Sequence, residues 1–210
     1  MKSPASLHDE AEEQLKQEEA QRVMRIIPNF NTSFIPNAAP LSARQKFELA
    51  FRGAVDPFQF AAAAIDGAIS QSRNGFDGYG EGTQGYAKRF GASYADSFDS
   101  AMIGNALLPV LLSQDPRYFR KGTGGFASRF FYAISTSVRC RNDKGKWVPN
   151  YSDLLGSLAA GGISNLYYPA SDRGVGLTLQ RAMTQTGEGA IGAVFFEFWP
   201  DISRKFFGSR

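Results

Sequence analysis

Apolar positions along this chain recur mostly at helical spacing, and breaks in that spacing divide it into segments. Residues 7–27, "LHDEAEEQLKQEEAQRVMRII", are polar almost throughout. They are rich in strong helix formers, with acids early and arginine late, an order that suits the helix dipole. Leu7, Ala11, Leu15 and Met24 give only a thin apolar stripe, so the expectation is a solvated helical arm. Residues 28–40, "PNFNTSFIPNAAP", hold three prolines, which block helix and central strand alike. They read as an extended linker lying on the body of a helical domain that occupies 41–210.

The pattern then becomes helical. Ser42 with Gln45 is a capping box, and the helix it opens carries Phe47, Ala50, Phe51 and Ala54 on one face to about residue 55. Asp56 and Pro57 restart the chain as N-cap and first helical residue, with Phe58, Ile65 and Ile69 on the face of a helix to about 72. The glycine-rich stretch 73–85 reads as a mobile loop or a set of tight turns. From 84 to 113, Tyr86, Phe90, Tyr94, Phe98 and Met102 recur every four residues, beside the small Gly91 and Ala95, with a kink expected near Pro109.

"QDPRYF" repeats the Asp-Pro device and predicts a new helical turn capped by Asp115. "KGTGGF" lacks the Lys-Ser/Thr end of a phosphate-binding loop and reads as a turn before a helix over about 125–138. "RCRNDKGKWVPNY" is a hairpin pattern around "NDKG", with Pro149 confining its second arm to an edge. Helices capped by Ser152 or Asp153 to about 168, over about 172–184 and over about 187–199 complete the chain, with a short turn after "WPD". The fold class that follows is mainly α: one compact bundle-like domain of about six to eight helices, a short β-hairpin and an N-terminal helical arm.

Charge changes this picture more than composition does. Net charge is only +3, yet residues 1–20 hold six acids against two lysines, and residues 117–146 hold eight bases against Asp143 alone. The bases Arg117, Arg120, Lys121, Arg139, Arg141, Lys144 and Lys146 interleave with Tyr118, Phe119, Phe126, Phe130, Phe131, Tyr132 and Trp147. Rings in the core with cations at its rim is the plainest reading, and the spacing of Phe126, Phe130 and Ile134 supports it. A lipid surface, with rings at headgroup level and cations on phosphates, comes next. Single-stranded nucleic acid comes third, and no nucleic-acid partner is expected.

The chemistry-bearing residue types are sparse. One cysteine, Cys140, excludes an intrachain disulfide. Flanked by Arg139 and Arg141, its thiol would ionise more readily if exposed, but without a histidine partner it reads as an incidental strand cysteine. The only histidine, His8, lies in the acidic arm and reads as a surface residue. Asp96 and Asp99 share a helix face and could join Asp115 in a carboxylate site for acid–base or metal chemistry; solvated or ion-paired carboxylates are the plainer reading. No metal or cofactor is expected. The start "MKSPASLHDEAEEQLK" has no apolar stretch of the secretory kind, and the longest charge-free run, 154–171, is diluted by Gly, Ser, Asn and Pro. Small residues at Gly156, Ala160 and Ser164, and again at Gly189, Gly192 and Ala193, suit tight helix crossings.

"QDPRYFRKGTG", "YAIS", "PNYSDLLGSLAAGGISNLYYPASDRGVG" and "EFWPDI" resemble a family of uncharacterised bacterial proteins, over roughly residues 28–202. The resemblance implies a cell-envelope setting, carries no assigned activity and supplies no catalytic residues. The function expected is therefore a non-enzymatic envelope protein. It would bind a membrane surface or a larger assembly through its Gly/Ala- and Phe-rich helices and its basic patch, and an oligomer is compatible with this. If the chain start is native, a cytoplasmic setting is the counterpart. Two other classes stay open: a carboxylate-based hydrolase using Asp96, Asp99 and Asp115, and a structural subunit whose aromatic face is covered by a partner chain.

Overall fold

The capping box predicted at Ser42 is formed in full. Ser42 accepts from the Gln45 amide, Gln45 reaches back to the Ser42 backbone, and α1 runs over Ala43–Ala54. Asp56 caps α2 (Pro57–Ser72) by accepting from the Phe58 amide, with Pro57 at the first position. These features belong to a computed structural model that describes residues 9–14, 16, 32–35 and 38–207, and for Phe206 and Phe207 the backbone alone. His8 and most of the predicted arm and linker, including Leu7, Leu15, Met24 and residues 28–31, lie outside the described residues.

Beyond α2, the glycine-rich stretch folds as turns around a short 3-10 segment, Asp77–Tyr79. Arg89 holds these turns from beneath, donating to the carbonyls of Gly75, Phe76 and Gly80 and to the side chain of Gln71. The long helix α3 (Gly82–Met102) passes into one wide π-helical stretch, Ile103–Leu107, and a last turn α4 (Leu108–Leu111) that begins around the buried Pro109. The predicted kink is thus a π-bulge, a common device where the i→i−4 ladder is interrupted.

The segment "QDPRYF" is not a helical turn. Gln114–Asp115 (β2) and Tyr118–Phe119 (β3) are short strands. Asp115 does accept from the Arg117 amide, as a cap would, but it also binds the Arg117 guanidinium. That closure turns the chain back, so that β3 pairs in parallel with β1 (Thr32–Ser33). Part of the predicted linker is therefore a strand buried in the body. Helix α5 (Phe126–Ser135) leads into the hairpin, β4 (Arg139–Asn142) and β5 (Trp147–Pro149), and β2 joins β4 antiparallel on its other edge.

Helix α6 (Tyr151–Ser164) is capped by Asn150, which accepts from the Asp153 amide; the cap lies two or three residues earlier than predicted. The two helices expected at 172–184 and 187–199 are a single helix, α7, over Val175–Phe207. The intervening "QTGEG" lacks a proline or a competing cap, so glycine alone does not end a helix that packs along α6. Pro200 also lies within it. Thus the described residues form a mainly helical single domain of seven α-helices with a small hairpin-based sheet. The described arm residues are not simply solvated: Ala11 is fully buried with Ala39, Leu41 and Leu49, and Gln14 accepts from the Ala39 amide.

Candidate functional site

Three buried charges organise the interior. Glu197 on α7 is fully buried: Tyr118 (2.6 Å) and the Lys121 amide (2.9 Å) donate to one carboxylate oxygen, Arg129 (2.7 Å) and the Gly122 amide (2.8 Å) to the other. Burial alone would push its pKa up, but the bonds from Tyr118, Arg129 and the two amides outweigh burial and hold the carboxyl below its ordinary range. Arg129 and Arg120 also bind Asp201, one turn further along α7. The same carboxylate works the other way on Tyr118, whose hydroxyl is pushed up by burial and by the Glu197 it donates to.

Asp96 on α3 is 1% exposed and joins three helices' worth of chain. It accepts from Ser164 and Tyr167 on one oxygen, and from Tyr168 and Arg181 on the other, all within 2.5–2.7 Å. Asp99 reaches Tyr167 more loosely at 3.4 Å, and burial raises its carboxyl. The third centre is Lys46 on α1, 1% exposed, which bonds both oxygens of Asp143 in the hairpin turn and the Pro109 carbonyl. Lys46, Glu197 and Asp96 are thus among the largest fully buried side chains.

The outside is the converse. Among the described residues, twenty-five large apolar side chains are exposed. They follow helical stripes: Phe47, Phe51 and Val55 on α1; Phe58, Ile65 and Ile69 on α2; Leu154, Leu155 and Leu158 on α6; Val175, Leu179, Met183 and Ile191 on α7. The expectation that Phe126 and Ile134 are core is overturned. Phe126 is 69% exposed and Phe131 68%, while α5 buries Arg129 and Ala133 instead. The reason lies in the contact sides of the helices. They meet through small residues, with Gly156, Ser157, Ala160, Gly161 and Ser164 buried on α6, and large chains have no room there.

The seven predicted basic residues do not form one outward patch. Arg117 is buried, paired with Asp115 (2.8 Å) and donating to the Ala39 carbonyl. Arg120 is half-buried against Glu197 and Asp201. Lys121, Arg139, Lys144 and Lys146 are exposed and Arg141 half-exposed, so the hairpin carries most of the outward charge. Arg139 and Arg141 both lie over the Trp147 ring, at 4.8 and 5.3 Å, and Arg141 also over Phe119.

Nor do the three predicted carboxylates converge. Asp96 and Asp99 share Tyr167, whereas Asp115 belongs to Arg117. No group of three or more His, Cys, Asp or Glu side chains among the described residues is arranged to hold a metal ion. Cys140 is not activated by its arginine neighbours: burial, Asp115 and Asp153 push its thiol up to about 12. Sequence reasoning missed Lys46, Glu197, Arg129 and Arg181. For Glu197 a signal existed, since a lone carboxylate inside "AVFFEFW" must be partnered if the helix is packed. Comparison with protein-family models, curated proteins and solved structures returns no match for this chain.

Proposed function

We propose that this is a non-enzymatic, membrane-associated helical protein whose outward apolar side chains contact lipid and whose hairpin cations meet lipid phosphates. The observation that carries the reading is the inverted partition: paired charges and mostly small residues inside, with a few large ones such as Leu49, Phe119 and Tyr168, and many large apolar residues outside. Each such side chain left in water forfeits about 1–3 kcal/mol of transfer free energy. Over twenty-five partly exposed residues that sum is tens of kcal/mol, against a typical domain stability of about 5–15 kcal/mol. A medium that covers these side chains would recover part of that free energy.

Lipid fits better than a single protein partner because the apolar residues occur on α1, α2, α4, α5, α6 and α7 rather than on one of them. A standard protein interface covers one patch of about 800 Å² per partner. Small-residue helix contacts and paired internal charges are also the packing habits of helices in lipid, where apolar association between helices drives little. The described helices suit seating within one leaflet. None is long and apolar enough to cross a membrane. The envelope setting implied by the sequence resemblance agrees with this reading.

Flotation of the purified chain with liposomes tests it. The protein should rise with both neutral and anionic vesicles and resist release by salt, with anionic lipid adding a salt-sensitive increment through Lys121, Arg139, Lys144 and Lys146. A chain that stays at the bottom of every gradient, monomeric and soluble, contradicts it.

A further inference from the structure

A half-open cavity of about 400 Å³ lies between the β1–β3 pair, the hairpin, the start of α6 and the glycine face of α7. Its volume suits a small organic molecule. Two of its lining side chains are buried with a polar atom left unpartnered: Arg117 Nη1, on a side chain 0% exposed, and Thr32 Oγ1, on a residue 1% exposed. Arg117 spends Nε and Nη2 on Asp115 and the Ala39 carbonyl, and Nη1 is the remaining edge of the guanidinium. A buried donor of this kind without an acceptor is destabilising, and buried polar groups are nearly always satisfied.

Gln185, which also lines the cavity, has its Oε1 unpartnered, while its amide nitrogen donates to the Asp96 carbonyl. Gly189 and Gly192 of α7 line the same space, and a Cβ built on either would meet nothing within 4 Å. Unlike Gly156, these glycines do not serve a helix crossing. They hold the volume open, at a helix-propensity cost of about 1 kcal/mol each. Of the charged groups lining the cavity, three are guanidiniums (Arg117, Arg139, Arg141) and two are carboxylates (Asp115, Asp153). Asp115 is already taken by Arg117.

We propose that this cavity binds a small hydroxylated organic anion. Its carboxylate or phosphate oxygen accepts from Arg117 Nη1 and Thr32 Oγ1, and a ligand hydroxyl donates to Gln185 Oε1. The shared chemistry is an oxyanion carried on a polyol-like body, against the Trp147 and Phe196 walls. This site is distinct from the outward helix stripes, with Arg139 and Trp147 of the hairpin at the border of the two.

Calorimetric titration tests it with gluconate (carboxylate), glycerol 3-phosphate (phosphate) and glycerol (neutral). Three proteins are compared: the unaltered chain, Thr32→Val and Gly192→Leu. The expected result is saturable binding of at least one anionic probe and none of glycerol; which anion binds tells carboxylate from phosphate. Thr32→Val should keep or raise the melting temperature, since it deletes an orphan hydroxyl, yet weaken the anion at least about tenfold, the worth of one hydrogen bond to a charged group. Gly192→Leu should fold, melt higher and lose binding altogether, because it fills the cavity. No binding of either anion up to about 10 mM overturns the proposal. So does glycerol binding as well as the anions, or either variant binding like the unaltered chain.

Discussion

Gly156 of α6 and Gly104 of the π-helical stretch stand so close that a Cβ on Gly156 would lie 2.5 Å from the Gly104 Cα. Backbone meets backbone there, with no flexible side chain to yield. Gly156→Ala is therefore expected to destabilise by about 1–3 kcal/mol, the range for overpacking. Gly162, six residues on in the same helix, has open space where its Cβ would go. Gly162→Ala should stabilise by up to about 1 kcal/mol through helix propensity. Urea unfolding of the two variants, followed by circular dichroism, checks the opposite signs.

Glu197 ties α7 to the "RYFRKG" segment and to α5. Glu197→Gln leaves the Arg129 guanidinium facing a neutral amide where it met the carboxylate, and should cost about 3–5 kcal/mol, as breaking a buried ion pair does. The pH dependence follows. Its folded-state value lies below the unfolded one, so the stabilisation is present above the unfolded value of about 4.3 and is lost as pH falls through the folded value. A pH series of unfolding midpoints should show that acid loss in the unaltered chain and a shallower one in Glu197→Gln.

Asp153 runs the other way. Burial raises its carboxyl to about 6 in the folded chain, above the ordinary value of about 3.9. The folded state therefore binds the proton more tightly, and stability falls as pH rises from about 4 to about 6, then stays level. Asp153→Asn should raise the melting temperature at neutral pH and leave it nearly unchanged at pH 4. Equal effects at both pH values would remove burial as the cause.

Outward residues separate the inverted partition from an ordinary core. Phe131→Ser or Met183→Ser in a core would cost several kcal/mol, about 2–5 for large-to-small changes. Both side chains are more than two-thirds exposed. The variants should unfold within about 0.5 kcal/mol of the unaltered chain, as surface changes do, while binding vesicles more weakly.

Local chemistry was legible in the sequence. The Ser42–Gln45 box, the Asp56–Pro57 start, the "NDKG" hairpin and the helical class all follow from short-range rules that the structure obeys. What failed was the direction of the faces. Helical spacing says that Phe126, Phe130 and Ile134 share a side, but not whether that side meets protein or another medium. Identical periodicity serves a core and a lipid-facing stripe. The small residues of α6 held the missing information, because helices that touch through Gly156 and Gly161 must point their large side chains elsewhere. Long-range pairs such as Arg129–Glu197 and Asp96–Arg181 bring together residues 68 and 85 positions apart, beyond any local pattern. The "DPRYF" strands are a further case, decided by the pairing of β3 with a strand more than eighty residues earlier.

The most direct test of the proposed lipid-facing surface places single cysteines, in a Cys140→Ser background, at Phe131, Met183 and Ile191 on the apolar exterior and at Lys144 in the hairpin turn. Each carries a polarity-sensitive fluorophore, read with liposomes containing lipids brominated along the acyl chain. The account predicts blue-shifted, bromine-quenched emission at 131, 183 and 191, and water-exposed, unquenched emission at 144. Emission typical of water at all four positions, with vesicles present, would contradict it.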